Sequence, residues 1–126
     1  MYGHIKFAIA AGIAAFLSVP ALSAPDGAAL FKTRCGACHW DPNTPGEKVR
    51  LGPSLTRLSG REAGTADFKR YSPAMKASNI VWGRDSLDEY LNDPRKTVKG
   101  TTMAFPGLKK PDERAAVISY VLRASK

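Results

Sequence analysis

Apolar residues are spaced differently in different parts of this chain. Phe7 to Val19 is an unbroken run of apolar and small residues, with no helical or strand alternation. Beyond it the pattern becomes periodic. Ala28, Ala29, Leu30 and Phe31 follow Pro25-Asp26, a helix-opening pair, and predict a first helix running into Cys35. Leu87, Tyr90 and Leu91 fall at i, i+3 and i+4 and give a helix one apolar face. Ser86 to Glu89 reads as its capping box, in which the Ser hydroxyl and the Glu carboxylate satisfy free amides. Asn92-Asp93-Pro94 should end it, because proline cannot continue the ladder. The last helix opens at Pro111-Asp112-Glu113, with proline first and acids against the positive helix end; Val117, Tyr120, Val121 and Ala124 form its buried stripe. A shorter helix, Ser72 to Ser78, starts on a Ser cap and Pro73. No strand alternation persists, no repeat recurs, and Gly- and Pro-rich loops fill the rest. The expectation is an all-α domain of three main helices and a short one, with too little apolar surface for a core of its own.

The opening run changes the view of the chain's fate. A positive start (Met1 to Lys6), an apolar stretch, Pro20 and then Ala21-Leu22-Ser23-Ala24 describe a secretory signal peptide. The run is short for a bilayer span, which needs about 20 residues. Cleavage after Ser23 leaves residues 24–126 as one domain, expected to be periplasmic and not membrane-spanning; an uncleaved N-terminal anchor is the alternative. With 126 residues there is room for one domain. Nineteen Lys and Arg against 11 Asp and Glu give a net charge of +8. Such charge suits an acidic protein surface, a nucleic acid or an anionic membrane; export argues against nucleic acid.

The chemistry centres on Cys35-Gly36-Ala37-Cys38-His39, a C-x-x-C-H motif holding both cysteines of the chain. Two thiols three residues apart on one helical turn can each add to a vinyl group of one porphyrin, while the adjacent His reaches the iron. A disulfide would close a very short loop and leave His39 unexplained. A redox dithiol would be expected beside a βαβ pattern, and a zinc site needs a fourth ligand. One covalently bound haem c is therefore the expected cofactor. The other His, His4, leaves with the leader, so a sixth ligand must be Met75, Met103, or none. Met75 lies in the short helix, where methionine usually fills core. Met103 lies in an irregular loop able to present its thioether, and is the expected ligand.

Taken in order, Cys35-x-x-Cys38-His39, Gly52-Pro53-x-Leu55, Gly60-Arg61, Tyr71-Ser72-x-Ala74-Met75-Lys76, Ile80-x-Trp82, Leu87-x-x-Tyr90-Leu91, Pro94, Gly100-Thr101-x-Met103-x-Phe105 and Asp112-Glu113-Arg114 … Ile118-x-Tyr120 make the chain resemble a class I c-type cytochrome of the mitochondrial kind that also occurs in bacteria. The likeness covers residues 26–124 and implies the cytochrome c fold, its loops wrapped around the haem. It implies that Pro53 offers its carbonyl to His39, and that Tyr90 bonds near the Met103 sulfur. It assigns Arg61, Tyr71, Trp82 and Thr101 to the haem propionates, and sets Gly27 and Phe31 against Val117 and Tyr120. Two departures stand out: a somewhat longer loop from Asp41 to Arg50, and Thr102 where the family often has Lys.

His/Met ligation leaves no open iron site and raises the potential, which suits electron transfer and not turnover. The expected function is that of a monomeric one-electron carrier, not an enzyme, between a quinol–cytochrome c oxidoreductase and a terminal oxidase. Arg34, Arg95, Lys96, Lys99, Lys109 and Lys110 are expected to surround the haem edge and meet acidic docking surfaces on these membrane redox complexes. A haem enzyme or gas sensor with an open sixth position, and a zinc or dithiol module, are the competing readings.

Overall fold

The computed structural model describes residues 1, 3 and 11–124. Much of the expected leader, including residues 4–10, lies outside them. Residues 11–24 are exposed and without regular structure, and no described helix is long and apolar enough to cross a membrane.

Among the described residues five helices form: α1 (Gly27–Arg34), α2 (Pro73–Lys76), α3 (Arg84–Asn92), α4 (Pro94–Thr97) and α5 (Pro111–Arg123). Among the described residues there is no strand, only one antiparallel bridge between Glu62 and Val81. The three longer helices match the expectation, with two differences at their ends. Helix α3 starts two residues before Ser86, with extended Gly83 as its N-cap. Ser86 is then the third helical residue, and its hydroxyl reaches back to accept the Gly83 N–H at 2.9 Å. The Ser86–Glu89 capping box is thus corrected: the Ser holds the position expected of the Glu. Pro94 does end α3, but it also begins α4, a second short helix. Proline suits a first helical position because its φ is preset and its missing N–H would be unpaired there anyway. Asp93 caps that turn, accepting the Lys96 N–H at 3.2 Å.

Helices α1 and α3 both pack on α5. Asp26 caps α1 by accepting the Ala28 and Ala29 amides. A Cβ on Gly27 would run into the Ala116 carbonyl and lie 3.1 Å from Tyr120 Cβ, so only glycine lets α1 approach α5 this closely. One turn on, Phe31 meets the Tyr120 ring at 5.7 Å, in the same buried cluster as Val117, Ile118 and Val121. Arg114 of α5, almost fully buried, joins α3 to the loop before α5: Nε donates to Asp88 at 2.8 Å and one terminal nitrogen donates to the Leu108 and Lys109 carbonyls. The helices thus brace two long loops, residues 41–71 and 98–110, which carry Pro53, Arg61 and Tyr71 in the first and Thr101 and Met103 in the second.

Candidate functional site

The C-x-x-C-H segment leaves α1 as a tight turn. Cys35 caps the helix, and its carbonyl accepts the amides of Cys38 (3.0 Å) and His39 (2.9 Å). This turn holds the two thiols and the imidazole at one helix end. The cysteines are not joined to each other. Burial, reinforced by the Cys38 charge, pushes the Cys35 thiol up to about 11, so it rests protonated. Among the described residues no three of His, Cys, Asp and Glu gather into a metal-holding group.

His39 is buried, and its Nδ1 lies 2.9 Å from the Pro53 carbonyl oxygen. Burial lowers the imidazole pKa and the Pro53 carbonyl partly opposes this, so the ring rests neutral with Nε2 free to bind a metal. Gly52 leaves space for that ring: a Cβ there would lie 2.8 Å from both imidazole nitrogens. The Gly52 amide donates to the Cys38 carbonyl at 2.7 Å, so the loop is stitched to the motif it supports. Any larger residue at 52 would displace the imidazole.

The second loop gathers Tyr90, Thr101 and Met103. The Tyr90 hydroxyl lies 2.9 Å from Thr101 Oγ1 and donates to Met103 Sδ at 3.5 Å. Thr101 Oγ1 also accepts the Met103 amide at 3.3 Å. Tyr90 itself is fixed by the Trp82 ring, 5.2 Å away. Met103 stays partly exposed, with Leu55, Leu91 and Phe105 likewise only part-buried against the core. Met75 is buried inside that core, behind a Ser72 cap.

The four residues assigned to the propionates have different partners within the chain. Arg61 and Trp82 are linked through their backbones (Trp82 N–H to Arg61 carbonyl, 2.9 Å), and the Arg61 charge acts on Tyr71. Thr101 instead has its hydroxyl on Tyr90 and the Met103 amide. The Arg61 terminal nitrogens donate to the carbonyls of Thr56 (3.1 Å) and Ser54 (2.8 Å), while its Nε is buried without a hydrogen-bond partner. A buried donor left unpaired costs about 1–3 kcal/mol, so an anionic group at this point would relieve it. That orphaned nitrogen, the neutral imidazole and the glycine-cleared ring are what a haem with its propionates requires of these residues.

All six basic residues expected at the docking face are exposed. Two are partly engaged: Lys109 donates to the Asn92 carbonyl and pairs with Asp93 at 3.9 Å, and Lys110 pairs with Glu113 at 3.5 Å. Such exposed pairs are weak and leave the positive field largely intact. Arg50 and Arg70 also belong to this neighbourhood and carry no motif that would reveal them. The Arg50 guanidinium donates to the Gly36 carbonyl at 2.6 Å, inside the cysteine turn, and Arg70 donates to the Arg50 carbonyl at 2.8 Å. The longer loop from Asp41 is tied down at its start, where Asp41 accepts the Tyr120 hydroxyl at 2.7 Å and Asn43 donates to the Tyr120 carbonyl at 2.8 Å.

Comparison with known proteins agrees with this geometry. The family model for cytochrome c matches residues 24–125. Cytochrome c of Guizotia abyssinica is 45% identical over 112 residues, spanning 89% of this chain and 98% of that protein. Cytochrome c of Chlamydomonas reinhardtii is 43% identical over 110 residues, 87% of this chain and 96% of that one. Among solved structures, cytochrome cH from Methylobacterium extorquens superposes with a TM-score of 0.69 at 37% identity, covering 77% of this chain and 94% of that one. With the Cys35–Cys38–His39 turn in place, these likenesses make the chain a member of the cytochrome c family, an electron carrier with covalent haem c and not an enzyme.

Proposed function

We propose that this protein is an exported, diffusible one-electron carrier whose haem iron is held by His39 and Met103. The observation that carries the ligand assignment is the Tyr90 hydroxyl on Met103 Sδ, set against a Met75 packed into the core. Bound haem supplies an iron that gains and loses one electron; everything else is done by the chain. Cys35 and Cys38 fix the porphyrin covalently. Pro53 orients His39 and raises its basicity as a ligand. Tyr90 and Thr101 hold the Met103 segment, and Arg61, beside Tyr71 and Trp82, offers a donor to the propionates. With His39 and Met103 both committed to the iron, the protein would leave no position there for a substrate or a gas.

Export is supported by the composition of residues 1–23 and by a family match that starts at residue 24. The protein then works in the periplasm as a monomer, between a quinol–cytochrome c oxidoreductase and a terminal oxidase. Arg34, Arg95, Lys96, Lys99, Lys109 and Lys110 steer it to acidic docking patches, an effect that acts mainly on the association rate. Exposed charges are screened over roughly 8–10 Å at moderate salt. Oxidation of the reduced protein by purified cytochrome c oxidase should therefore slow steeply as ionic strength rises. Lys96→Glu and Lys110→Glu should each slow it at low salt and matter little at high salt. If both variants match the parent at low salt, this basic face does not dock; ready binding of carbon monoxide to the reduced protein would instead point to an open sixth position.

A further inference from the structure

Beyond residue 24, three large apolar side chains stand out as exposed among the described residues: Val49 (53%), Leu51 (64%) and Val81 (58%). A single exposed aliphatic residue is ordinary surface. Val49 and Leu51 are different because of what holds them. They flank Arg50, and the backbone between and beyond them is fastened at several points. The Arg50 amide donates to the Gly52 carbonyl at 3.3 Å, Arg70 donates to the Arg50 carbonyl, and the Gly52 amide donates to Cys38. The Arg50 guanidinium is anchored on Gly36. Lys48 and Arg50 both lie over the Trp40 ring, at 4.8 and 5.7 Å, so the flanking cations are positioned as well. An apolar pair is thereby held in solvent, within a frame of cations, beside the exposed cysteine of the haem-attachment turn.

An apolar centre inside a charged rim is the anatomy of a protein interface. We infer that Val49 and Leu51, framed by Lys48, Arg50 and Arg70, are the apolar contact by which this protein seats on its redox partner, in an apolar recess edged by carboxylates. The partner's carboxylates are required by the positive frame, and its recess by the two aliphatic side chains. This inference rests on the electron-carrier reading above. It adds an unscreened, short-range contact to the long-range steering by charge, so the two respond differently to salt.

The test compares Val49→Ser/Leu51→Ser with the parent in oxidation by purified cytochrome c oxidase at low and high ionic strength. Losing the contact should raise the half-saturating concentration roughly tenfold at both salts. The slope of the rate against ionic strength should stay that of the parent, because no charge has changed. Equal half-saturating concentrations for parent and variant at both salts would overturn the inference while leaving the carrier intact. So would a shift in the haem absorption spectrum of the variant, which would make the pair part of the haem packing. A parent that sediments as a dimer, with the variant a monomer, would assign the patch to a second copy of the chain and overturn it too. A parent that the oxidase does not oxidise at any salt would remove the carrier reading and this contact together.

Discussion

Tyr90 shows how a single side chain links packing to redox chemistry. Its ring is buried against Trp82 and its hydroxyl reaches Thr101 and Met103 Sδ. A donor on the thioether draws electron density from the sulfur, which disfavours the oxidised iron more than the reduced one. Tyr90→Phe keeps the ring and removes only that donor. It should lower the reduction potential by on the order of tens of millivolts, read by equilibrium redox titration. An unchanged potential would separate Tyr90 from the ligand. The proposed ligands His39 and Met103 could be picked out in the sequence from the C-x-x-C-H spacing and a methionine in a loop. The partners of the Thr101 hydroxyl were not legible, because a hydroxyl's choice of partner depends on loop geometry. Nor did any spacing announce the Arg61 Nε left without a partner.

At the scale of elements, apolar periodicity located the three long helices but not every boundary. Ser86 followed by Glu89 reads equally as a cap three residues ahead of its partner or as the third residue of a helix begun earlier. The structure takes the second, with extended Gly83 as the N-cap. Pro94 likewise both stops a helix and starts one, and only Asp93 accepting the Lys96 amide resolves which. The α1–α5 contact was expected from the family resemblance, which set Gly27 and Phe31 against Val117 and Tyr120, and the helices do pack there. Gly27→Val should lower unfolding stability by about 2–3 kcal/mol, because its side chain would enter the Ala116 carbonyl and force the helices apart. Denaturant titration of the haem-bearing protein, read by circular dichroism, checks this. A loss below about 0.5 kcal/mol, the scatter of neutral surface changes, would mean that the helices have room to spare.

Across the whole molecule, Tyr71 and Tyr90 share one electrostatic condition. Burial is the leading cause in each, and it raises both phenol pKa values above the usual 10.0. A group whose pKa is raised on folding contributes stability that is complete below its unfolded value and is lost as pH climbs through the folded one. Stability should therefore hold to about pH 10 and then fall, with Tyr90→Phe falling less steeply than the parent above that pH. Identical pH profiles of the denaturation midpoint would exclude Tyr90 from that loss. The sequence conveyed the overall architecture because many short motifs recur in order along it. The pinned apolar pair at Val49 and Leu51 escaped notice because exposure is a property of the folded surface. The central claim, an electron carrier closed on both faces of its iron by His39 and Met103, meets its most direct test in the far-red absorption of the oxidised protein. The account predicts a weak thioether-to-iron charge-transfer band that persists in Met75→Leu and vanishes in Met103→Ala. A band that survives Met103→Ala, or that is lost in Met75→Leu, would contradict it.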